Sequence, residues 1–129
     1  IKGVEIGAGF AAADNAGSKV HDEIFIKDGN YVRSTNNAGG IEGGMSNGQE
    51  IIIRAAMKPI PTLMKGLKTV DTATKEPCVA ASERSDVAAI CACEIILESV
   101  VCTALSSVVS QRLGGDNLKE VKERYALLP

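Results

Sequence analysis

The chain has 129 residues, 45% of them apolar, with 14 basic and 16 acidic side chains and a formal net charge of −2. That length and composition suit one globular domain. The near-balanced charge, the absence of Trp and an aromatic content of 3% provide neither the basic stripe nor the stacking platforms that nucleic-acid binding uses, so nucleic acid is excluded as an expected partner.

With so few aromatics the core must be built from Val, Ile, Leu and Ala, and thirteen glycines bring backbones close together. Such a core is modest in area and leans on neighbouring chain for cover. The chain starts at Ile1 with no basic stretch leading into an apolar segment, which gives the expectation of a cytoplasmic fragment of a longer protein rather than a secreted one.

Residues 1–10, IKGVEIGAGF, place Val4, Ile6 and Ala8 on one face with glycines between them, the pattern of a strand closely approached by another backbone. Residues 11–22 are small and polar and read as a loop. EIFI, KDGN and YVRS then form a hairpin signal with Asp28-Gly29 at the turn. The segment NNAGGIEGGMSNG, residues 36–48, follows as a glycine-rich loop. A strand is expected from Glu50 to Met57, stopped by the prolines of KPIPT, and another short one at CVAASE.

From Asp86 to Leu113 the pattern is helical and apolar nearly all round, ending at Gly114-Gly115. Glu94 and Glu98 interrupt it, charges that a membrane span rarely carries unpaired, so the expectation is a buried helix and no membrane. Asp116 or Asn117 can cap a last short helix, with Leu118, Val121, Tyr125 and Leu128 on one stripe. Nothing divides the chain, and residues 1–129 read as part of a single domain.

No metal is expected. Cys91 and Cys93 are two apart, which on a helix separates their side chains by about 200°, so they cannot share an ion. Cys78 and Cys102 read with them as small core hydrophobes. His21 lies between Val20 and Asp22 with no evident partner, a structural rather than a catalytic histidine.

Three stretches carry chemistry. The glycine segment matches neither nucleotide fingerprint: it lacks G-x-G-x-x-G, and Met45 stands where a Walker lysine belongs. Its glycines and asparagines permit positive φ and admit a bulky ligand, while Glu42 in its middle repels an anion. Pro59 and Pro61 stiffen the MKPIPT stretch, so that Lys58, the amides of Ile60 and Thr62 and the Thr62 hydroxyl present a preorganised clamp. In ERSD, Ser85 or Asp86 is a plausible helix cap, Arg84 an anion clamp beside it, and a carboxylate next to an arginine stays ionised as a base must.

Taken in order, KGVEIGAGF, GSKVHDE, NNAGGIEGGMSNGQEIIIRAAMKPIPT, KTVDTATKEP and ERSD with its apolar helix resemble the C-terminal portion of the chorismate synthase family over roughly residues 1–115. The resemblance implies an α+β fold, a β-α-β sandwich with antiparallel strands around a long buried helix, assembled as a homotetramer. It implies a lyase that converts 5-enolpyruvylshikimate 3-phosphate to chorismate and phosphate by trans-1,4 elimination with reduced FMN, NADP being the associated nicotinamide. The flavin lends electron density as phosphate departs and recovers it as hydrogen leaves the ring.

Carried over by residue, Gly43, Lys58, Pro59, Ile60, Pro61, Thr62 and Arg84 fall at flavin-contacting positions, with Arg84 also reaching toward the anionic substrate, and Asp86 matches a carboxylate that assists proton removal. The family's two catalytic histidines and most of its substrate-binding arginines belong to an N-terminal portion that this chain lacks, so turnover is not expected from these residues alone. The helix also departs from the family, with AAICACEIILESVV where a proline near its start and an Ala-Glu-Ala-like stretch are usual. The rival expectation is a non-catalytic flavin-binding or assembly module derived from the same fold.

Overall fold

A computed structural model describes residues 1–84 and 88–128 of the chain, in two units, residues 1–58 and residues 59–129.

In the first unit, β1 (Gly3–Ile6) pairs antiparallel with β6 (Ile53–Ala56), in the register Gly3↔Ala56 to Ile6↔Ile53. Side chains opposite one another share a face. Val4, Ala55, Ile6 and Ile53 therefore make an apolar side, and Glu5 and Arg54 stand together on the other. There Arg54 Nε donates to Glu5 Oε2 at 3.2 Å and Nη2 to the Gly7 carbonyl at 2.9 Å, holding the exit of β1. The segment expected to be a loop contains a short 3₁₀ turn (Gly9–Asp14) and the one-turn helix α1 (Gly17–Val20).

β2 (Ile24–Lys27) and β3 (Asn30–Arg33) form the expected hairpin, with Asp28 at φ 52° and Gly29 at φ 78°. Two successive positive φ values match a two-residue turn to the twist of its strands. The glycine segment is not a plain loop. It folds into a second hairpin, β4 (Ile41–Glu42) and β5 (Met45–Ser46), turning at Gly43 (φ 57°) and Gly44 (φ 79°).

In the second unit β7 (Lys68–Val70) pairs with β8 (Pro77–Val79), so the expected strand at residues 78–83 starts one residue earlier and stops at Val79. Asp71 closes the connection by accepting from the amides of Ala73 (2.7 Å) and Thr74 (2.9 Å). α2 (Ile90–Leu113) begins later than its apolar pattern, with Ala89 in the cap position and no side-chain cap. The pattern runs unbroken through Ala88 and Ala89, so periodicity does not mark the start, and Ser85 and Asp86, read as caps, lie outside the described residues.

Gly114, at φ 60°, ends α2 as expected. Asn117 caps α3 (Leu118–Ala126) by accepting from the Glu120 amide at 3.0 Å, and Arg124, paired with Glu120, donates to the last carbonyl of α2, that of Leu113, at 2.6 Å.

The expectation of a buried α2 is not met within this chain. Leu113, 8% exposed, is the one buried apolar side chain among the described residues, while Ile95 and Val108 are 63% and 62% exposed. Cys78, Cys91 and Cys102 are likewise exposed rather than packed in a core. The physical reason is missing cover. The chain exposes 10804 Å², whereas two compact units of half its 13.5 kDa each would together expose about 7,900 Å².

By length and composition α2 is also apolar enough to cross a membrane, a test that the interior helix of a larger protein passes equally. Three of its hydroxyls bond back within the helix: Ser99 donates to Ile95 O and Thr103 to Ser99 O, each at 2.7 Å, and Ser106 to Thr103 O at 2.8 Å. Glu94 and Glu98 stay exposed.

Candidate functional site

The glycine segment is anchored at its start by one carboxylate. Asp22 accepts the Thr35 hydroxyl at 2.5 Å and the amides of Asn37 and Ala38 at 2.8 and 2.9 Å. Partial burial pushes the Asp22 carboxyl up, but those three donors and the nearby Arg33 charge outweigh it and hold the group below its ordinary value. Asn36 adds a second tie, accepting from the Gly40 amide and donating to the Glu50 carbonyl, both at 2.9 Å. The asparagines of this stretch therefore fasten it rather than loosen it.

The backbone contact expected near β1 occurs at Gly7. A Cβ there would meet the Asn37 carbonyl and the Gly39 amide nitrogen, and one on Gly39 would lie 2.6 Å from Gly7 Cα. Gly40 is closed in by the carbonyls of Gln49 and Glu50. Gly43 and Gly44 differ. A Cβ at either would meet nothing within 4 Å, so the turn stands open and glycine is needed there for its positive φ.

Glu42, which by sequence opposes an anion at this loop, is ion-paired with Arg33 at 2.6 Å and accepts from Asn47 Nδ2 at 2.9 Å. Its charge is thus compensated locally.

Gly43 and Lys58 belong to the first unit, Pro59–Thr62 and Arg84 to the second. Lys58 is exposed on the irregular stretch after β6, followed by exposed Pro59, half-buried Ile60, and exposed Pro61 and Thr62. Within the second unit the pairing of β7 and β8 continues outward: Ala80 N donates to Leu67 O at 2.8 Å and Ser82 Oγ to Met64 O at 2.9 Å. Thr62 and Arg84 each lie two residues along the chain beyond that last link.

Lys58 and Arg84 are both exposed, and no ion pair of either forms among the described residues. Asp86 lies outside the described residues. His21 stands exposed after α1, and no three His, Cys, Asp or Glu side chains converge on a metal position among the described residues.

Sequence reasoning missed the roles of Asp22, Arg33 and Asn36. Their partners are between 4 and 16 positions away, and only the composition of VHDE and NNAGG hinted at polar ties.

Residues 1–109 match the sequence pattern of the family described as chorismate synthase. Curated proteins named chorismate synthase are similar along nearly the whole chain. That of Geotalea uraniireducens (strain Rf4) is 52% identical, over 97% of this chain and 34% of its own length. That of Geobacter metallireducens is 53% identical with the same coverage, and that of Caldanaerobacter subterraneus subsp. tengcongensis 54% identical over 97% and 36%. This chain therefore spans about a third of the length of these relatives. A solved structure titled "Crystal Structure of Chorismate Synthase" superimposes on 98% of the chain and 31% of its own, with a TM-score of 0.74 and 40% identity. The fold is thus the α+β arrangement of that structure, and by the match over residues 1–109 the chain belongs to the chorismate synthase family.

Proposed function

We propose that this chain forms the C-terminal part of a single-domain, cytoplasmic, homotetrameric chorismate synthase, and that it supplies the flavin-binding part of the active site. The complete enzyme converts 5-enolpyruvylshikimate 3-phosphate to chorismate and phosphate by trans-1,4 elimination. What carries this reading is that Gly43, Lys58–Thr62, Arg84 and Asp86 are all present in a chain about half identical, over nearly its full length, to curated chorismate synthases.

The donor set suits reduced FMN, which carries a phosphate and an anionic ring. The Gly43–Gly44 turn is open to a bulky group, with Glu42 already neutralised by Arg33. Lys58 and Arg84 are exposed cations, and the prolines flanking Ile60 limit the entropy lost on binding. Bound there, reduced flavin would supply electron density as phosphate leaves and regain it as hydrogen leaves the ring, with no net change in its oxidation state. Arg84 steadies the anionic substrate, and Asp86 assists removal of the ring proton. The remaining catalytic groups come from the N-terminal portion.

The test is chorismate formation by the complete protein from 5-enolpyruvylshikimate 3-phosphate, under anaerobic conditions with chemically reduced FMN. Chorismate appearing only with the reduced flavin is expected. Tight FMN binding with no chorismate would leave the non-catalytic flavin module as the answer.

A further inference from the structure

We propose that Arg33 is a positioning residue for the flavin: through its ion pair with Glu42 it fixes the open Gly43–Gly44 turn and compensates the negative charge that precedes it. This inference rests on the flavin reading of that turn.

The β4–β5 hairpin has two register pairs, Ile41↔Ser46 and Glu42↔Met45, joined by two glycines in the left-handed region. So short a ribbon has no independent stability in water, and glycines at the turn add backbone freedom rather than rigidity. Its placement must come from ties outside it. Two are backbone bonds at its base, Asn47 N to Gly40 O (3.0 Å) and Ile52 N to Gly39 O (3.2 Å). Two reach the tip itself: the Glu42 carboxylate, immediately before Gly43, is held by Arg33 at 2.6 Å and accepts from Asn47 Nδ2 at 2.9 Å, and of these Arg33 brings the compensating charge.

Arg33 suits this task because its other end is fixed. It closes β3, opposite Ile24, and its Nη1 donates to the Asp22 carbonyl at 3.3 Å. Asp22 in turn accepts from Thr35, Asn37 and Ala38, which open the glycine segment. One guanidinium therefore joins the start of the segment to its tip, using the forked donors that a lysine lacks. Its side chain is 18% exposed against 43% for Glu42, so the pair is shielded more than an ordinary surface bridge. Without it the tip would keep an uncompensated carboxylate facing an anionic ligand.

The experiment uses the complete protein and two readouts, hydrogen–deuterium exchange without FMN and the FMN dissociation constant. In Arg33→Ala, exchange across residues 41–47 should speed up and FMN binding weaken about tenfold, the size expected for losing a charge-assisted bond and exposing an unpaired carboxylate. Arg33→Lys, a milder change should Arg33→Ala fold poorly, should show the same two effects at smaller size. The exchanged pair Arg33→Glu with Glu42→Arg should recover part of the FMN affinity.

Unchanged exchange, or faster exchange with unchanged FMN affinity, overturns the inference. Lys58→Ala and Arg84→Ala separate the two levels. If they weaken FMN binding and the Arg33 variants do not, only the positioning role falls. If neither these two nor the Arg33→Ala and Arg33→Lys variants weaken it, the flavin reading falls and takes this inference with it.

Discussion

At the scale of single residues the glycines sort into two kinds that composition cannot distinguish. Gly7 and Gly39 lie against each other's backbone, whereas Gly43 and Gly44 face open space. Gly39→Ala should therefore cost the complete protein at least about 3 kcal/mol, from left-handed strain plus displaced backbone. Gly43→Ala should cost about 1 kcal/mol from strain alone, and denaturant unfolding would show the difference.

Asp86 tests a different part of the account. Asp86→Asn should lower chorismate turnover by at least about a hundredfold, the size of a lost general base, with FMN affinity unchanged. Normal turnover in that variant would remove its assigned role. What the sequence made legible here was residue type, such as a lysine before two prolines or an arginine near an aspartate. It concealed the partners of Asp22 and Arg33, because hydrogen bonds across 11 to 16 positions are set by how the strands meet.

At the scale of elements, the hairpin at Asp28-Gly29 was legible because its turn chemistry and alternating strands agree. The hairpin at Gly43-Gly44 was not, because two-residue strands have no period to read. The start of α2 was likewise hidden by alanines that extend its apolar pattern beyond the helix. Asp22 gives these elements a pH signature. Its folded carboxyl titrates below the ordinary 3.8, so its stabilisation of residues 35–38 is fully present above that value and is lost as pH falls through the lowered one. Protection of the Asn37 and Ala38 amides, relative to free-chain exchange at the same pH, should hold above 3.8 and be lost as pH falls through the lowered value. In Asp22→Asn the same amides should exchange faster at neutral pH. Asn117→Ala should cost about 1 kcal/mol by removing the α3 cap, read as a lower denaturant midpoint.

At the scale of the whole molecule the dominant fact is uncovered apolar surface. The chain exposes roughly 2,900 Å² more than compact units of its mass would, with Ile90, Ile95, Ile96, Val100 and Val108 of α2 all exposed, and it spans about a third of its relatives. The apolar character of α2 was plain in the sequence, whereas its exposure among the described residues was not. Produced alone, the 129-residue chain should bind a hydrophobic dye strongly and form no chorismate, while the complete protein binds the dye weakly.

The central claim is that this part of the enzyme holds the flavin. It is tested most directly by titrating FMN into the complete protein and its Lys58→Ala and Arg84→Ala variants. The account predicts that each substitution weakens binding about tenfold, as expected for a charge-assisted contact to an anion. Parent-like affinity in both variants would contradict it.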